Sequence, residues 1–121
     1  MKNIIILIAL IGSVAFSSAQ NVKQRDLSKE GDLIKATYYY DNGTISQEGY
    51  YTINGKLQGN WVSYDANGNK TAEAHYENGN KTGKWFFWQN KDILKEVDYK
   101  NSEVVAVNTW KIEGERVVSA D

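Results

Sequence analysis

Residues 40–43 (YDNG), 64–68 (YDANG) and 88–91 (WQNK) decide how this chain folds, because they are three versions of one turn. Each begins with an aromatic residue, and these leading aromatics are 24 residues apart. Residues 59–61 (GNW) and 83–85 (GKW) lie between the turns and repeat with the same period. A fixed period of this size is typical of supersecondary units that stack on one another. This stretch therefore predicts a repeat architecture.

Turn residues recur along the chain about once per strand. Asn-Gly pairs occur at 42–43, 54–55, 67–68 and 78–79, and weaker versions follow at 90–91 (NK) and 101–102 (NS). Asn-Gly favours the positive backbone φ angles of tight hairpin turns, and strands of about 5 to 8 residues fit between such turns. We therefore predict an all-β fold, in which antiparallel β-hairpin repeats form a meander and one elongated twisted sheet.

Aromatic residues alternate with small and charged residues in the predicted strands. Side chains two residues apart in a strand share one face of the sheet. Superposing the repeats aligns three tyrosines in one strand type and three tryptophans in the other, and we predict that these six residues form the packed spine: Tyr51, Trp61, Tyr76, Trp85, Tyr99 and Trp110. The glutamates Glu48, Glu73 and Glu96 then occupy the opposite face, which we expect to be solvated.

The N-terminal residues have the organisation of a secretory signal. Lys2 is followed by an apolar run and then by small residues, which predicts a helical signal peptide over 1–19 with cleavage after Ala19. A transmembrane anchor is the alternative, but the run is shorter than the roughly 20 residues that span a bilayer. We expect an exported chain, located in the periplasm or outside the cell. Residues 20–32 are polar and predict a flexible lead-in or one loosely attached edge strand.

The remaining residues form a single predicted domain. Repeats are expected over 33–113, and residues 114–121 are expected to form an end strand or tail. The chain has no cysteine, which excludes a disulfide framework and a lipid-modified thiol. Its formal net charge is -1, and loss of Lys2 with the leader makes it more negative. Surfaces that bind phosphate backbones are normally basic, so we expect neither nucleic acid nor, after cleavage, a membrane as partner.

Candidate catalytic residues are scarce. His75 is the single histidine and is expected to face solvent from a strand. The three glutamates share one face and could supply the acid and base of a glycosidase, but equivalent strands lie about 9.6 Å apart, at or just beyond the upper limit for an inverting pair. A catalytic acid needs burial to raise its pKa, however, and these residues are expected on the wet face. The sequence therefore predicts no enzyme, no metal site and no cofactor.

Surplus aromatic residues are the strongest sign of a binding function. Residues 85–88 (WFFW) place large rings on both faces of one strand, more than one sheet face can bury. Tyr64, Phe86 and Trp88 are the candidate binding residues of an exported repeat module, which we expect to bind another protein through this aromatic face or through an exposed edge of the sheet. One possibility is that the N-terminal segment or curvature of the sheet covers these three side chains. The alternative is that they form an exposed apolar patch, which binds a protein or stacks on sugar rings.

The repeats resemble a known family. Residues 61–68 (WVSYDANG) and 76–85 (YENGNKTGKW) resemble the variant MORN repeat in its YYxNG and YxNGKxxGxW form, and residues 50–61 (YYTINGKLQGNW) repeat the second half. The resemblance covers about residues 39–110. The third copy departs from the pattern, since 101–102 is Asn-Ser and no glycine precedes Trp110.

This resemblance implies a run of β-hairpins that serves as a scaffold for binding proteins or lying near a membrane. Some bacterial members are described as antitoxin-like components of toxin–antitoxin systems, which act in the cytoplasm. Similar short exported chains have been labelled nicotinic acid mononucleotide adenylyltransferase. The residues do not support that label, because the chain has neither a His-x-Gly-His motif nor an alternating strand and helix pattern.

Overall fold

The computed structural model describes residues 24–114 and 116–119, and in these residues it contains ten strands and no helix. The predicted all-β meander is confirmed: every strand belongs to one open antiparallel sheet. The predicted leader, residues 1–19 with its cleavage point, lies outside the described residues. The strands are β1 (Arg25–Glu30), β2 (Leu33–Tyr39), β3 (Ile45–Thr52), β4 (Leu57–Tyr64), β5 (Lys70–Glu77), β6 (Asn80–Lys81), β7 (Gly83–Gln89), β8 (Ile93–Lys100), β9 (Glu103–Glu113) and β10 (Arg116–Ser119).

The strands follow one another across the sheet almost in chain order. The order is β1-β2-β3-β4-β5-β7-β8-β9-β10, and the short β6 pairs with β5 beside this path. Contacts between elements are therefore made chiefly by neighbouring strands. This is the pattern of a repeat array, in which each unit is stabilised by the units on either side.

Two kinds of turn join the strands. At Gly43, Gly55 and Gly68 the glycine has a φ of 88 to 90° and its N–H donates to the carbonyl three residues earlier. The turn at 78–79 instead has positive φ at both residues, as a type I′ hairpin requires, and the Asn101-Ser102 turn does the same with φ angles of 51 and 69°. The Asn101-Ser102 turn therefore keeps the positive φ angles of the Asn78-Gly79 turn, although serine replaces glycine.

The sheet has two unlike ends. β1 pairs with β2 along its whole length, so the residues expected in a lead-in or loosely attached edge strand form an edge strand. Every residue of β1 is exposed, and four of its six residues are charged (RDLSKE). At the other end β10 pairs only with residues 110–113 of β9. The sheet therefore includes one strand on each side of residues 33–113, the residues that were expected to form the repeats.

One face of the sheet, the core face, holds the buried residues. Trp61 and Trp85 are 1% and 0% exposed. Small residues beneath and beside them, Ala36, Gly49, Ala72 and Ala74, are also buried, which lets the large rings lie across the sheet surface. Because all the strands belong to one sheet, these rings are covered by side chains of the same sheet and not by a second layer of the described residues.

Ring contacts tie the core face together. The rings of Tyr51 and Trp61 meet edge to face with centroids 5.1 Å apart, and Tyr76 meets Trp85 in the same way at 5.1 Å. Tyr99 contacts Trp85 from the other side at 4.9 Å. Such pairs add about 0.5 to 1.5 kcal/mol beyond the burial of their area. These contacts join five of the six residues predicted for the spine.

Trp110, the sixth predicted spine residue, lies on the opposite face. It pairs with Leu94, whereas the core-face residue Val97 pairs with Val107. The tryptophan spacing is 24 from Trp61 to Trp85 but 25 from Trp85 to Trp110, and a change of one residue inverts the face of a strand residue. The third place on the core face is therefore occupied by Val107.

Candidate binding face

The face opposite the core, here called the outer face, carries a row of residues that runs across six strands. Pairing between neighbouring strands aligns Glu48, Val62, Glu73, Phe86, Glu96 and Asn108. Carboxylates thus alternate with other residues along this carboxylate row. Strands of an antiparallel sheet lie about 4.8 Å apart, so the carboxylates of the row recur about every 9.6 Å.

A second row of the outer face is rich in aromatic residues. Tyr64 pairs with Lys70, Trp88 with Leu94, and Leu94 with Trp110. The Lys70 ammonium lies 5.7 Å from the centre of the Trp88 ring, within the range of a cation–π contact. We call Tyr64, Trp88 and Trp110 the aromatic row.

The aromatic row occupies one repeated position. Tyr64 follows Trp61 by three residues, Trp88 follows Trp85 by three, and Trp110 follows Val107 by three. A step of three residues changes the face in a strand, so these rings point away from the core. The three-residue spacing can be read from the sequence. It becomes recognisable only when Val107, and not Trp110, is aligned with Trp61 and Trp85, and the strand register supplies that alignment.

Polar contacts join the two rows. The Tyr64 hydroxyl donates to Glu48 Oε2 at 3.2 Å, and the Trp110 Nε1–H donates to Glu96 Oε1 at 2.7 Å. The third carboxylate, Glu73, is bound by Lys70 Nζ at 2.6 Å. Burial, and then the nearby Glu48 carboxylate, raise the pKa of Tyr64. Each carboxylate of the row therefore has a partner on the protein.

Glu96 is the most enclosed of the three carboxylates. Its residue is only 8% exposed, which corrects the expectation that all three glutamates lie on a solvated surface. The Lys84 ammonium at 2.9 Å and the Trp110 indole compensate its charge. The hydrogen bond from Lys84, followed by that from Trp110, lowers the pKa of Glu96. A carboxyl group that is held ionised in this way is unsuited to act as a general acid.

The three predicted binding residues are brought together on the outer face. Tyr64, Phe86 and Trp88 are all half-buried, and the rings of Phe86 and Trp88 lie 6.3 Å apart. No second layer of strands formed by residues 24–114 and 116–119 covers them. Trp110, predicted for the core, lies on this face as well.

The remaining polar candidates do not converge on a catalytic site. His75 pairs with Asn60 on the outer face and is half-buried. Among the described residues, no group of three or more His, Cys, Asp or Glu side chains is placed to hold a metal ion. Nor do the described residues include a helix long and apolar enough to cross a membrane.

Comparison with known proteins identifies the repeat. The family model of the MORN repeat variant matches residues 34–52 and 57–78. The chain therefore contains MORN-variant repeats. The first match covers the β2–β3 hairpin and the second the β4–β5 hairpin, so one MORN-variant unit is one hairpin. No curated protein and no solved structure matches the chain.

The array of hairpins continues beyond the matched residues. Strands β7 and β8 form a further hairpin, in which Trp85 takes the place of Trp61 and Tyr99 that of Tyr76. Trp61 Nε1 donates to the Tyr50 carbonyl at 2.9 Å, and Trp85 Nε1 donates to the His75 carbonyl at 3.0 Å. Each tryptophan thus fixes its hairpin to the preceding one. The MORN repeat family is generally non-catalytic, and this sheet has the architecture of a repeat module.

Proposed function

We propose that this protein is an exported, non-enzymatic module that binds another protein through its outer face. The observation that carries the proposal is the row of aromatic rings, Tyr64, Trp88 and Trp110, on a face without a second layer in the described residues. Aromatic residues that combine large apolar area with a polar atom are enriched at protein interfaces. The apolar leader supports export, and the family supports a role other than catalysis.

The centre of the proposed interface is Trp88 with Phe86. Tyr64 and Trp110 each donate a hydrogen bond to a glutamate of the carboxylate row, which holds their rings in place. Trp88 instead contacts Phe86 and Lys70. A large ring flanked by fixed polar neighbours has the composition of a binding hot spot, in which a few central residues supply most of the binding energy.

Capture of partners from the cell envelope and medium tests this proposal. The immobilised protein is compared with a Phe86→Ala, Trp88→Ala double variant and with His75→Ala, a control on the same face. We expect the double variant to lose partners that the wild type and the control retain, with an unchanged far-UV circular dichroism spectrum. Identical partner sets for all three proteins would show that the aromatic row is not the binding surface.

A carbohydrate-binding module is the second candidate, because rings on a sheet face can also stack on sugar rings. Titration of envelope polysaccharides, followed by tryptophan fluorescence, separates the two functions. Only a carbohydrate-binding module gives a saturable change with the polysaccharide alone, and that change should disappear in the Trp88→Ala variant.

A further inference from the structure

One edge of the sheet is left open along an apolar strand. β10 pairs with β9 only from Trp110 to Glu113. Along residues 103–109, β9 is paired with β8 on one side, and no strand of the described residues pairs with its other side. Edge strands present unpaired N–H and C=O groups and can pair with a strand from another chain.

The side chains of this open segment are unusual for an edge. Val104, Val105 and Val107 are 49%, 59% and 43% exposed. Glu103 is the only charged residue in the sequence EVVAVNT at 103–109. Natural proteins commonly protect an edge with charged residues, and β1 at the opposite end of the sheet follows that rule.

A missing aromatic ring explains why the valines are exposed. The core faces of the two preceding hairpins are filled by Trp61 and Trp85, but Val107 holds the equivalent place in β9. The array therefore ends with apolar surface that no further repeat of the described residues covers. A bulge opposite Asp98 and Tyr99 adds Val105 to the strand without adding a charge.

We propose that this open edge pairs antiparallel with the same edge of a second copy of the chain. Two β9 strands in this arrangement place their valines together and put the two Glu103 carboxylates at opposite ends of the pairing. Pairing with β1 would instead set the valines against a strand containing Arg25, Asp26, Lys29 and Glu30. The charge distribution therefore favours β9 with β9 over β9 with β1.

This choice of edge also fixes the kind of assembly. A pairing of two identical edges has two-fold symmetry and closes as a dimer, whereas pairing of opposite edges would extend without limit. The charged β1 edges remain at the two outer ends of the joined sheet. Since a short strand pair buries less than the roughly 1,200 Å² of a standard interface, the dimer is weak.

Sedimentation equilibrium tests the proposal with the purified protein from low micromolar to millimolar concentration. We expect a reversible monomer–dimer equilibrium for the wild type. The Val105→Lys, Val107→Lys double variant should remain monomeric, while Leu27→Lys, a matched substitution at a 50% exposed residue of β1, should dimerise like the wild type. Val105→Lys alone, at the most exposed valine, is the milder variant if the double substitution impairs folding.

Hydrogen exchange provides a readout that needs no variant. Amide exchange of residues 104–109 should slow as the protein concentration rises, while exchange in β1 should not change. A wild type that stays monomeric at millimolar concentration overturns the proposal, as does loss of dimerisation in Leu27→Lys. A mass that grows beyond the dimer contradicts the two-fold pairing.

Discussion

The indole ring of Trp61 lies against Gly49, on the neighbouring strand β3, so closely that a Cβ atom on Gly49 would overlap the ring. The same indole donates its hydrogen bond to the carbonyl of Tyr50, the next residue of that strand. Both contacts require the ring to lie flat on the sheet. Glycine is therefore needed at position 49 because any side chain there would occupy the space of the Trp61 ring. An unusual backbone conformation is not the reason, since the φ angle of Gly49 is not positive.

Gly49→Ala should destabilise the protein by about 1 to 3 kcal/mol, the usual cost of inserting a methyl group into a packed core. The measurement is the urea unfolding midpoint, followed by tryptophan fluorescence. In a Trp61→Leu background the same substitution should cost clearly less, because the ring that it displaces is gone. Equal costs in the two backgrounds would contradict the contact as the cause.

Val107 occupies the core-face place that Trp61 and Trp85 hold in the preceding hairpins, and we predict an energetic coupling between Val107 and its cross-strand neighbour Val97. These valines face each other where the earlier strands place a small residue opposite a tryptophan. Val107→Trp alone should not stabilise the protein, because Val97 occupies the space that the ring needs. The double variant Val97→Ala, Val107→Trp should have a free energy of unfolding about 0.5 to 3 kcal/mol higher than the sum of the two single-variant effects predicts. A strictly additive cycle in thermal unfolding would refute this pairing.

Glu96→Gln should cost more stability than Glu73→Gln, although both residues belong to the carboxylate row. Glu96 is buried and accepts hydrogen bonds from Lys84 and Trp110, and such charge-assisted bonds contribute about 1.5 to 3 kcal/mol. The Lys70–Glu73 pair is surface-exposed and is worth about 0 to 1 kcal/mol. Denaturant unfolding at pH 7 compares the two, and equal losses would show that enclosure of Glu96 has no energetic effect.

The ionisation of Glu96 also predicts an acid limit of stability. Its folded-state pKa is lowered, so the stability that it contributes is present above its unfolded pKa and is lost as the pH falls through the lower folded value. At pH values below about 4.3, the ordinary pKa of glutamate, the free energy of unfolding of the wild type should therefore decrease. The decrease should be smaller in Glu96→Gln. Unfolding curves measured from pH 7 down to the acid transition provide the check.

The tyrosines predict a second limit at alkaline pH. Burial raises the pKa of Tyr51 and of Tyr76, and a hydrogen bond with Tyr38 adds to the effect at Tyr51. Since the folded-state pKa is raised, their stabilising effect is complete below the unfolded value of about 10 and is lost as the pH rises above it. Absorbance at the phenolate wavelength should show late tyrosine ionisation that coincides with unfolding. Early, non-cooperative ionisation of every tyrosine would contradict this.

Much of the architecture could be predicted because it is local. The Asn-Gly pairs set the turns through their positive φ angles, and a 24-residue period places equivalent residues two strands apart. The places of Trp61, Trp85, Tyr51, Tyr76 and Tyr99 on one face follow from the two-residue alternation within strands. The likeness of residues 50–85 to the MORN variant followed from the same motifs.

The burial of Glu96, the face of Trp110 and the open edge of β9 could not be predicted in this way. Each depends on cross-strand register, and a bulge between Asp98 and Tyr99 changes the register of β9 by one residue. Adjacent strand residues point to opposite faces, so a shift of one residue exchanges the faces of the residues that follow in β9. This shift places Trp110 on the outer face beside Glu96 and Val107 on the core face. The sequence by itself determined the hairpins and their order, whereas the pairing of distant strands decided which side chains meet.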